Sequence, residues 1–264
     1  MNIKETALYA AKKAGEILKE NFNQLSASDI DRKAQFDYVT RVDTACEKKI
    51  VDIIHQNFPE HNILAEENER AESGGYRWII DPLDGTTNYI HNVPIYSVSI
   101  AVEHDGEIIL GVVYDPSREE LFTAEKGQGA YLNNQPISVS DIKAPDMALF
   151  ATGYPFRVKH LIDPYQESFK QLFMQISGIR RTGSAALDFC YIACGRYDGF
   201  WELDLHPWDL AAGYLILEEA NGHMSDFAGK GKMLETGNTI ASNGHLHNFI
   251  VNTVQNVFRG VVDQ

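Results

Sequence analysis

The sequence predicts a layered α+β fold in which helices cover both faces of the sheets. Three observations carry that expectation: an amphipathic helical pattern at the start, a run of strands and turns through the middle, and renewed helical periodicity after Pro145. With 264 residues, 44% of them hydrophobic and 23% charged, the chain can bury a full-sized core and has an ordinary globular composition. One domain over 1–264 is expected, with an N-terminal α+β half to about 140 and a C-terminal α/β half from about 141 to 264.

From Glu5 to Phe22, apolar Ala7, Ala11, Ala14, Ile17, Leu18 and Phe22 recur at helical spacing among charged residues, which predicts the first helix. A second helix over Asp43 to Phe58 uses Cys46, Ile50, Ile53 and Ile54, and Pro59 stops it. Lys33 to Val42 reads as an extended or loop segment. Arg77 to Ile80 is a short strand entering a turn at Asp81-Pro82, and Tyr96 to Val102 and Ile108 to Tyr114 are further strands. Turn clusters at His104-Asp105-Gly106, Asp115-Pro116-Ser117 and Leu132 to Pro136 make this middle region a β-meander. Gly127-Gln128-Gly129 reads as a hairpin turn in it rather than a dinucleotide loop. Helices follow over Tyr165 to Met174, Ser184 to Gly195 and Pro207 to Ala220, with a strand over Tyr197 to Glu202 and a last helix from His245. Pro207 is preformed for a first helical turn, and Gly222 lies just past the last periodic residue.

Several function classes are set aside. No apolar run approaches the roughly 20 residues that span a bilayer. A net charge of −14 opposes general nucleic-acid binding. The first residues show neither a secretory apolar block nor a transit-peptide composition, so a cytoplasmic address is expected. Of three cysteines, Cys190 and Cys194 sit one helical turn apart in an apolar context, which reads as core packing rather than a disulfide or zinc site. No Walker A or Gly-x-Ser-x-Gly string is present, and His206 receives no role.

An acidic chain that binds an anionic substrate needs local positive charge from basic side chains, helix N-termini or bound cations. Asp81-Pro82-Leu83-Asp84-Gly85-Thr86-Thr87-Asn88 follows directly on the Trp78 to Ile80 strand. Its two carboxylates, three residues apart around a stiff proline, can face one point, and such paired acids suit Mg²⁺. Gly85 and the two threonines can open a helical turn whose N–H groups accept a phosphate. Taken alone, an Asp-Gly-Thr string equally makes an Asx turn and a helix cap. Asp43, Glu66 and Asp209 likewise have ordinary readings as a cap, a solvated face and N-terminal helix charge.

The whole octapeptide resembles the signature of the inositol monophosphatase family. The likeness continues through Asp37-Tyr38-Val39-Thr40-Arg41-Val42-Asp43 and through Ala65-Glu66-Glu67, where the family commonly has Gly before the first glutamate. It extends to Arg181-Thr182-Gly183-Ser184-Ala185-Ala186, Glu202 and Pro207-Trp208-Asp209-Leu210-Ala211-Ala212-Gly213, in order from about Lys33 to Gly222. Lys33 stands near a family lysine of variable spacing.

This resemblance implies the layered αβαβα sandwich shared with fructose-1,6-bisphosphatase, and Mg²⁺-dependent hydrolysis of a small phosphate monoester by a metal-activated water. Two or three Mg²⁺ ions would be held by Glu66, Asp81, the Leu83 carbonyl, Asp84 and Asp209. Glu66, Thr86 and Asp43 would be catalytic, Thr86 paired with Asp43 and helped by Glu66 to orient the attacking water and take up its proton. Asp84, Gly85, Thr86, Ser184, Ala185, Glu202 and Asp209 would meet the substrate, the N–H groups of Gly85 and Thr86 on its phosphate and Ser184, Ala185 and Glu202 on its alcohol side. Inositol-1-phosphate is the implied substrate, with lithium sensitivity and a homodimer. Phosphatases for fructose 1,6-bisphosphate, 3′-phosphoadenosine 5′-phosphate, histidinol phosphate or nicotinamide dinucleotide phosphates share the motifs and stay open. A different class also stays open: an interaction protein in RNA metabolism whose phosphatase site is incidental.

Overall fold

Helix α1 (Ile3–Asn21) begins where the Asn2 side chain accepts a hydrogen bond from the Glu5 N–H and Glu5 reaches back to the Asn2 N–H. That capping box satisfies two of the donors a helix start leaves open. The structure, a computed structural model, describes residues 1–34, 37–67 and 75–262, without the side chains at 33, 34 and 37. The expectation for the Lys33 side chain therefore lies outside the described residues.

A second capping box starts α2 (Arg41–Asn57). Thr40 Oγ1 accepts from the Val42 and Asp43 N–H groups, and Asp43 Oδ2 accepts from the Thr40 N–H at 3.0 Å. The helix thus starts before Asp43, which sits inside the first turn. The segment ahead of it, expected to be loop or extended, holds the antiparallel pair β1 (Ile30–Ala34) and β2 (Asp37–Thr40).

The larger sheet runs β3 (Asn62–Ala65), β4 (Tyr76–Asp84), β5 (Ser97–His104), β6 (Glu107–Asp115), β7 (Glu120–Glu125), β8 (Ala130–Leu132) and β9 (Gln135–Ile137) in spatial order. β3 is parallel to β4, and every later pair is antiparallel, which is the expected meander. The second sheet is built from β10 (Leu149–Thr152), β11 (Gly178–Arg180), β12 (Gly199–Glu202), β13 (His223–Ser225) and β14 (Thr239–Ser242), in the order β11-β10-β12-β14-β13. The remaining helices are α3 (Thr86–Ile90), α4 (Ile162–Phe173), α5 (Ala185–Ala193), α6 (Pro207–Glu219), α7 (Met233–Thr236) and α8 (His247–Phe258).

Side-chain alternation along the strands sends successive residues to opposite faces and so divides the core into layers. Trp78, Ile80, Val98 and Ile100 pack under α1 and α2 with Leu18, Ile50 and Ile54. Ile79, Ala101 and Val113 point the other way, onto α5 and α6, whose far sides meet Phe200 and Ala241 of the second sheet. α4 and α8 cover that sheet's outer face, with Tyr165, Leu172, Ile250 and Phe258 around Phe150, Trp201 and Ile240. The result is the expected αβαβα sandwich. Every residue of α5 is buried, as a helix between two sheets requires. Among the described residues, no helix is long and apolar enough to cross a membrane.

Three local expectations differ from the structure. β4 does not stop at Ile80 but continues to Asp84, because a register shift between Asp81 and Asp84 accommodates Pro82, which has no N–H for the ladder. At the end of α6 it is Asn221, at φ +66°, that takes the left-handed position. Gly222 is needed for room instead, since a β-carbon there would meet the Leu217 side chain and, at 2.9 Å, the Ser242 carbonyl oxygen. The last helix begins at His247, whose ring is buried between Ser225 and Ser242, at 2.8 and 3.0 Å from their hydroxyls.

The middle helix lies directly on the strand beneath it. A β-carbon on Gly111 of β6 would come within 2.6 Å of the Ala212 carbonyl oxygen of α6. Gly111→Ala is therefore expected to lower unfolding stability by about 1–3 kcal/mol, as overpacking against rigid backbone does. Urea unfolding measures this, and an unchanged midpoint would contradict so close an approach.

Candidate active site

A bulge aims the two aspartates of β4 at one cavity. In a regular strand, residues three apart point to opposite faces. Between Asp81 and Asp84 the strand advances three residues while its partner advances two, from Ser99 to Ser97. The extra residue turns Asp84 back to the side of Asp81, and the Asp81 carboxylate steadies the bulge by accepting the Leu83 N–H at 2.9 Å.

Asp209 arrives from the first turn of α6, where it caps the helix by accepting the His206 N–H at 2.8 Å. Negative charge is favoured at a helix N-terminus. Carboxylate oxygens of Asp81, Asp84 and Asp209 all lie within 4.8 Å of one another. Asp84 is held by the α5 N-terminus as well, accepting from the Ser184 hydroxyl at 2.5 Å and the Ala186 N–H at 2.9 Å. Glu66 follows directly on β3, and its carboxyl group shares a hydrogen bond with Asp81. Its neighbour Glu67 donates its N–H to Glu47 of α2 at 2.9 Å, which anchors that short segment.

A cavity of about 580 Å³ opens between these elements. Glu66, Asp81, Leu83, Asp84, Gly85 and Thr86 of the first half of the chain form one wall, and Ser184, Ala185, Glu202 and Asp209 of the second half complete the lining, Ser184 and Asp209 meeting Asp84 directly or within 4.8 Å. Every candidate residue thus lines it except Asp43, which is fully buried behind the wall. Asp43 reaches the site through Thr86, whose hydroxyl lies 3.1 Å from Asp43 Oδ1 and 3.0 Å from the Leu83 carbonyl oxygen. Asn88 joins the two halves of the chain, its amide donating to the Ile95 and Thr182 carbonyls at 2.8 Å each.

Burial dominates the electrostatics. It pushes Asp81 well above the usual carboxylate range, with Glu66, Asp84 and Asp209 adding to the rise. Burial and Asp209 push Asp84 up to about 7, against the lowering effect of the Ser184 hydroxyl and the Ala186 N–H. Asp43 is raised to about 6 by burial, an effect its bonds to Thr40 and Thr86 only partly offset. Glu202 is raised to about 8 by burial, opposed by Arg181 and Arg157. The donor set is all oxygen and crowded, with Arg157 3.8 Å from Asp209, and such a set fits a hard divalent cation.

Several cavity residues carried no assignment in the sequence. Gly153 is one: any β-carbon there would collide with the Glu202 carboxylate, so the absent side chain makes room for it. Arg157 and Lys159 come from the loop after β10, where no motif marks them, and Tyr154 from the same loop. Arg181 belongs to a segment that the family resemblance covers, and its charge beside a candidate substrate pocket was the available signal.

A layered αβαβα fold whose strand ends and helix N-termini gather carboxylates around a cavity defines a class of metal-dependent phosphatases. The family model described as the inositol monophosphatase family matches residues 2–259. The chain belongs to that family. It is 44% identical to the Nus factor SuhB of Pseudomonas aeruginosa, over 94% of each chain. It is 40% identical to an inositol-1-monophosphatase of Rhizobium meliloti, over 93% of each. A crystal structure of the extragenic suppressor protein suhB from Bartonella henselae superposes with a TM-score of 0.92 at 38% identity, covering 96% of this chain and 98% of that one.

Crowded carboxylates trade stability for ion binding. In metal-free protein, Asp84→Asn removes one buried charge while the side-chain oxygen can still accept from Ser184 and Ala186. It is expected to raise stability by about 1 kcal/mol, or about 2–4 °C in Tm, and to shrink the further gain produced by added Mg²⁺. Thermal unfolding with chelator and with Mg²⁺ measures both; a destabilised metal-free variant would contradict the account.

Proposed function

We propose that this phosphatase hydrolyses the phosphate ester of a small polyol, with inositol-1-phosphate as the representative substrate and Mg²⁺ as its cation. The observation that carries this reading is that a single cavity is lined both by the crowded acids and by Glu202, seated in space that Gly153 leaves open. Glu66, Asp81, the Leu83 carbonyl, Asp84 and Asp209 would hold two or three ions. Bound there, the cations supply Lewis acidity to the attacking water and to the leaving oxygen.

The chain's own groups have distinct tasks. Thr86 has one hydroxyl proton and two acceptors in reach; donation to Asp43 leaves its lone pairs to accept from the attacking water and orient it. Asp43 is fixed for this by the α2 capping box, and Glu66, which lines the same cavity as Thr86, assists. N–H groups of Gly85 and Thr86 hold the phosphate, and the left-handed backbone of Gly85, at φ +94°, forms that turn. Ser184 and Ala185 flank the alcohol, and Glu202 meets its hydroxyls. Lithium sensitivity, a homodimeric state and a single domain over the whole chain belong to the same reading by family membership.

A panel of phosphate monoesters assayed with Mg²⁺ tests it, with inositol-1-phosphate expected to rank high among polyol and sugar monophosphates. Asp81→Asn and Asp209→Asn should each lower kcat by about a hundredfold or more with the fold retained by circular dichroism, and near-normal turnover in either would refute the metal roles. Glu202→Ala should reorder the substrate ranking more than it changes Mg²⁺ dependence; an unchanged order would remove Glu202 from the alcohol side.

Kinship with proteins called Nus factors supports a second reading, in which the chain also acts as an interaction protein in RNA metabolism. An interaction that survives Asp84→Asn would separate that role from catalysis.

A further inference from the structure

We propose that Glu47, a buried carboxylate of α2 that no motif marks, is a positioning residue of the ion site: it sets the direction of Glu66 and so governs how tightly a divalent cation is held. The proposal rests on the phosphatase reading of the cavity and deepens it, since it concerns how the site is assembled from behind rather than what the site receives.

Asp43, Glu47, Ile50 and Ile54 recur at helical spacing along the face of α2 turned into the protein, and all four are buried. Ile50 and Ile54 share a core layer with Trp78 and Ile80 of β4. The two acids take positions where the same stripe otherwise carries apolar side chains, and Glu47 is only 2% exposed. Burying a carboxylate costs free energy that burying an isoleucine does not, so packing alone gives no reason for one there. Asp43 is accounted for by its bond with Thr86. Glu47, one turn further on, accepts the Glu67 N–H at 2.9 Å and does not line the cavity.

That bond falls on the peptide just after Glu66. The peptide just before it is held by the sheet, where the Glu66 N–H donates to the Ile80 carbonyl oxygen at 3.2 Å. With both flanking peptide planes pinned, the backbone of Glu66 has little rotational freedom, and its side chain is kept on Asp81, with which it shares a hydrogen bond. β3 ends at Ala65, so the ladder secures only the first of the two planes. Glu47 supplies the second. α2 thereby backs the site twice, with Asp43 behind Thr86 and Glu47 behind Glu66. The competing explanation is that Glu47 merely closes the end of β3, a contribution to stability that leaves ion affinity alone.

Thermal unfolding across a Mg²⁺ titration separates the two, because the rise in Tm with concentration reports an apparent dissociation constant independently of turnover. Glu47→Met keeps volume and helix propensity and removes the acceptor, whereas Glu47→Gln keeps an acceptor oxygen. Glu47→Met is expected to raise the Mg²⁺ dissociation constant about tenfold, the size of one net hydrogen bond, and Glu47→Gln to stay within about threefold of wild type. In a Glu66→Gln background, Glu47→Met should add less than about a further twofold, since its effect travels through Glu66. A lower metal-free Tm in Glu47→Met with an unmoved dissociation constant would overturn the proposal in favour of a purely structural contact. Full additivity with Glu66→Gln would overturn it too, as would Glu47→Gln binding as weakly as Glu47→Met. Should Glu47→Met fail to fold, Glu47→Asp, which withdraws the same carboxylate by one methylene, is held to the same tenfold expectation. A wild-type Tm unmoved throughout the titration would overturn the metal reading and this one together; a wild-type response matched by every variant would overturn this one alone.

Discussion

Repulsion among buried carboxylates is the constraint around which this chain is arranged. Two unit charges 4.8 Å apart repel by about 3 kcal/mol at an effective dielectric constant of about 20, and Asp81, Asp84 and Asp209 lie at least that close. Each acid is held by its own device. Asp81 is tied to a strand bulge, Asp84 to the start of α5, and Asp209 to the start of α6. Helix N-termini supply partial positive charge, and backbone N–H groups supply bonds that do not depend on a mobile side chain. The larger sheet and both inner helices must therefore be in place before the cluster exists.

Much of the architecture was legible in the sequence because it is locally encoded. The helical spacing of α1 and α6, the proline at the start of α6 and the turn residues of the meander all act over a few residues. What was not legible depends on distant partners. The continuation of β4 past Ile80 follows from its register with β5, where Asp81 faces Ser99 and Asp84 faces Ser97, and Pro82 read alone argues for a turn. The short strands β10, β11 and β13 exist because neighbouring strands and covering helices complete them. Gly222 carried the right signal for the wrong reason: its lack of a side chain serves Leu217, and Asn221 takes the unusual backbone angle.

The candidate site divides in the same way. The acids of the octapeptide were legible as a pair, since adjacency and a following Gly-Thr-Thr constrain where they point. Their union with Asp209 and Glu66 could be reached only through family resemblance, because no periodicity relates them. Asp43 does not line the cavity and meets it through its hydrogen bond with the Thr86 hydroxyl, a pairing the family resemblance implies and no local pattern in the sequence reveals. Gly153, Arg157 and Lys159 were silent because loop residues without a repeat or motif acquire meaning only when folding sets them beside Glu202.

The cavity's lining comes from two stretches of the polypeptide: residues 66–86 supply most of the acids, and 153–209 supply Asp209 together with Gly153, Ser184 and Glu202. That separation makes the scaffold modular in evolution. Substitutions in the loop after β10 and around the start of α5 can redirect which alcohol is admitted while the hydrolytic machinery stays as it is. Descendants of one ancestor could thereby acquire new diets without reinventing their chemistry.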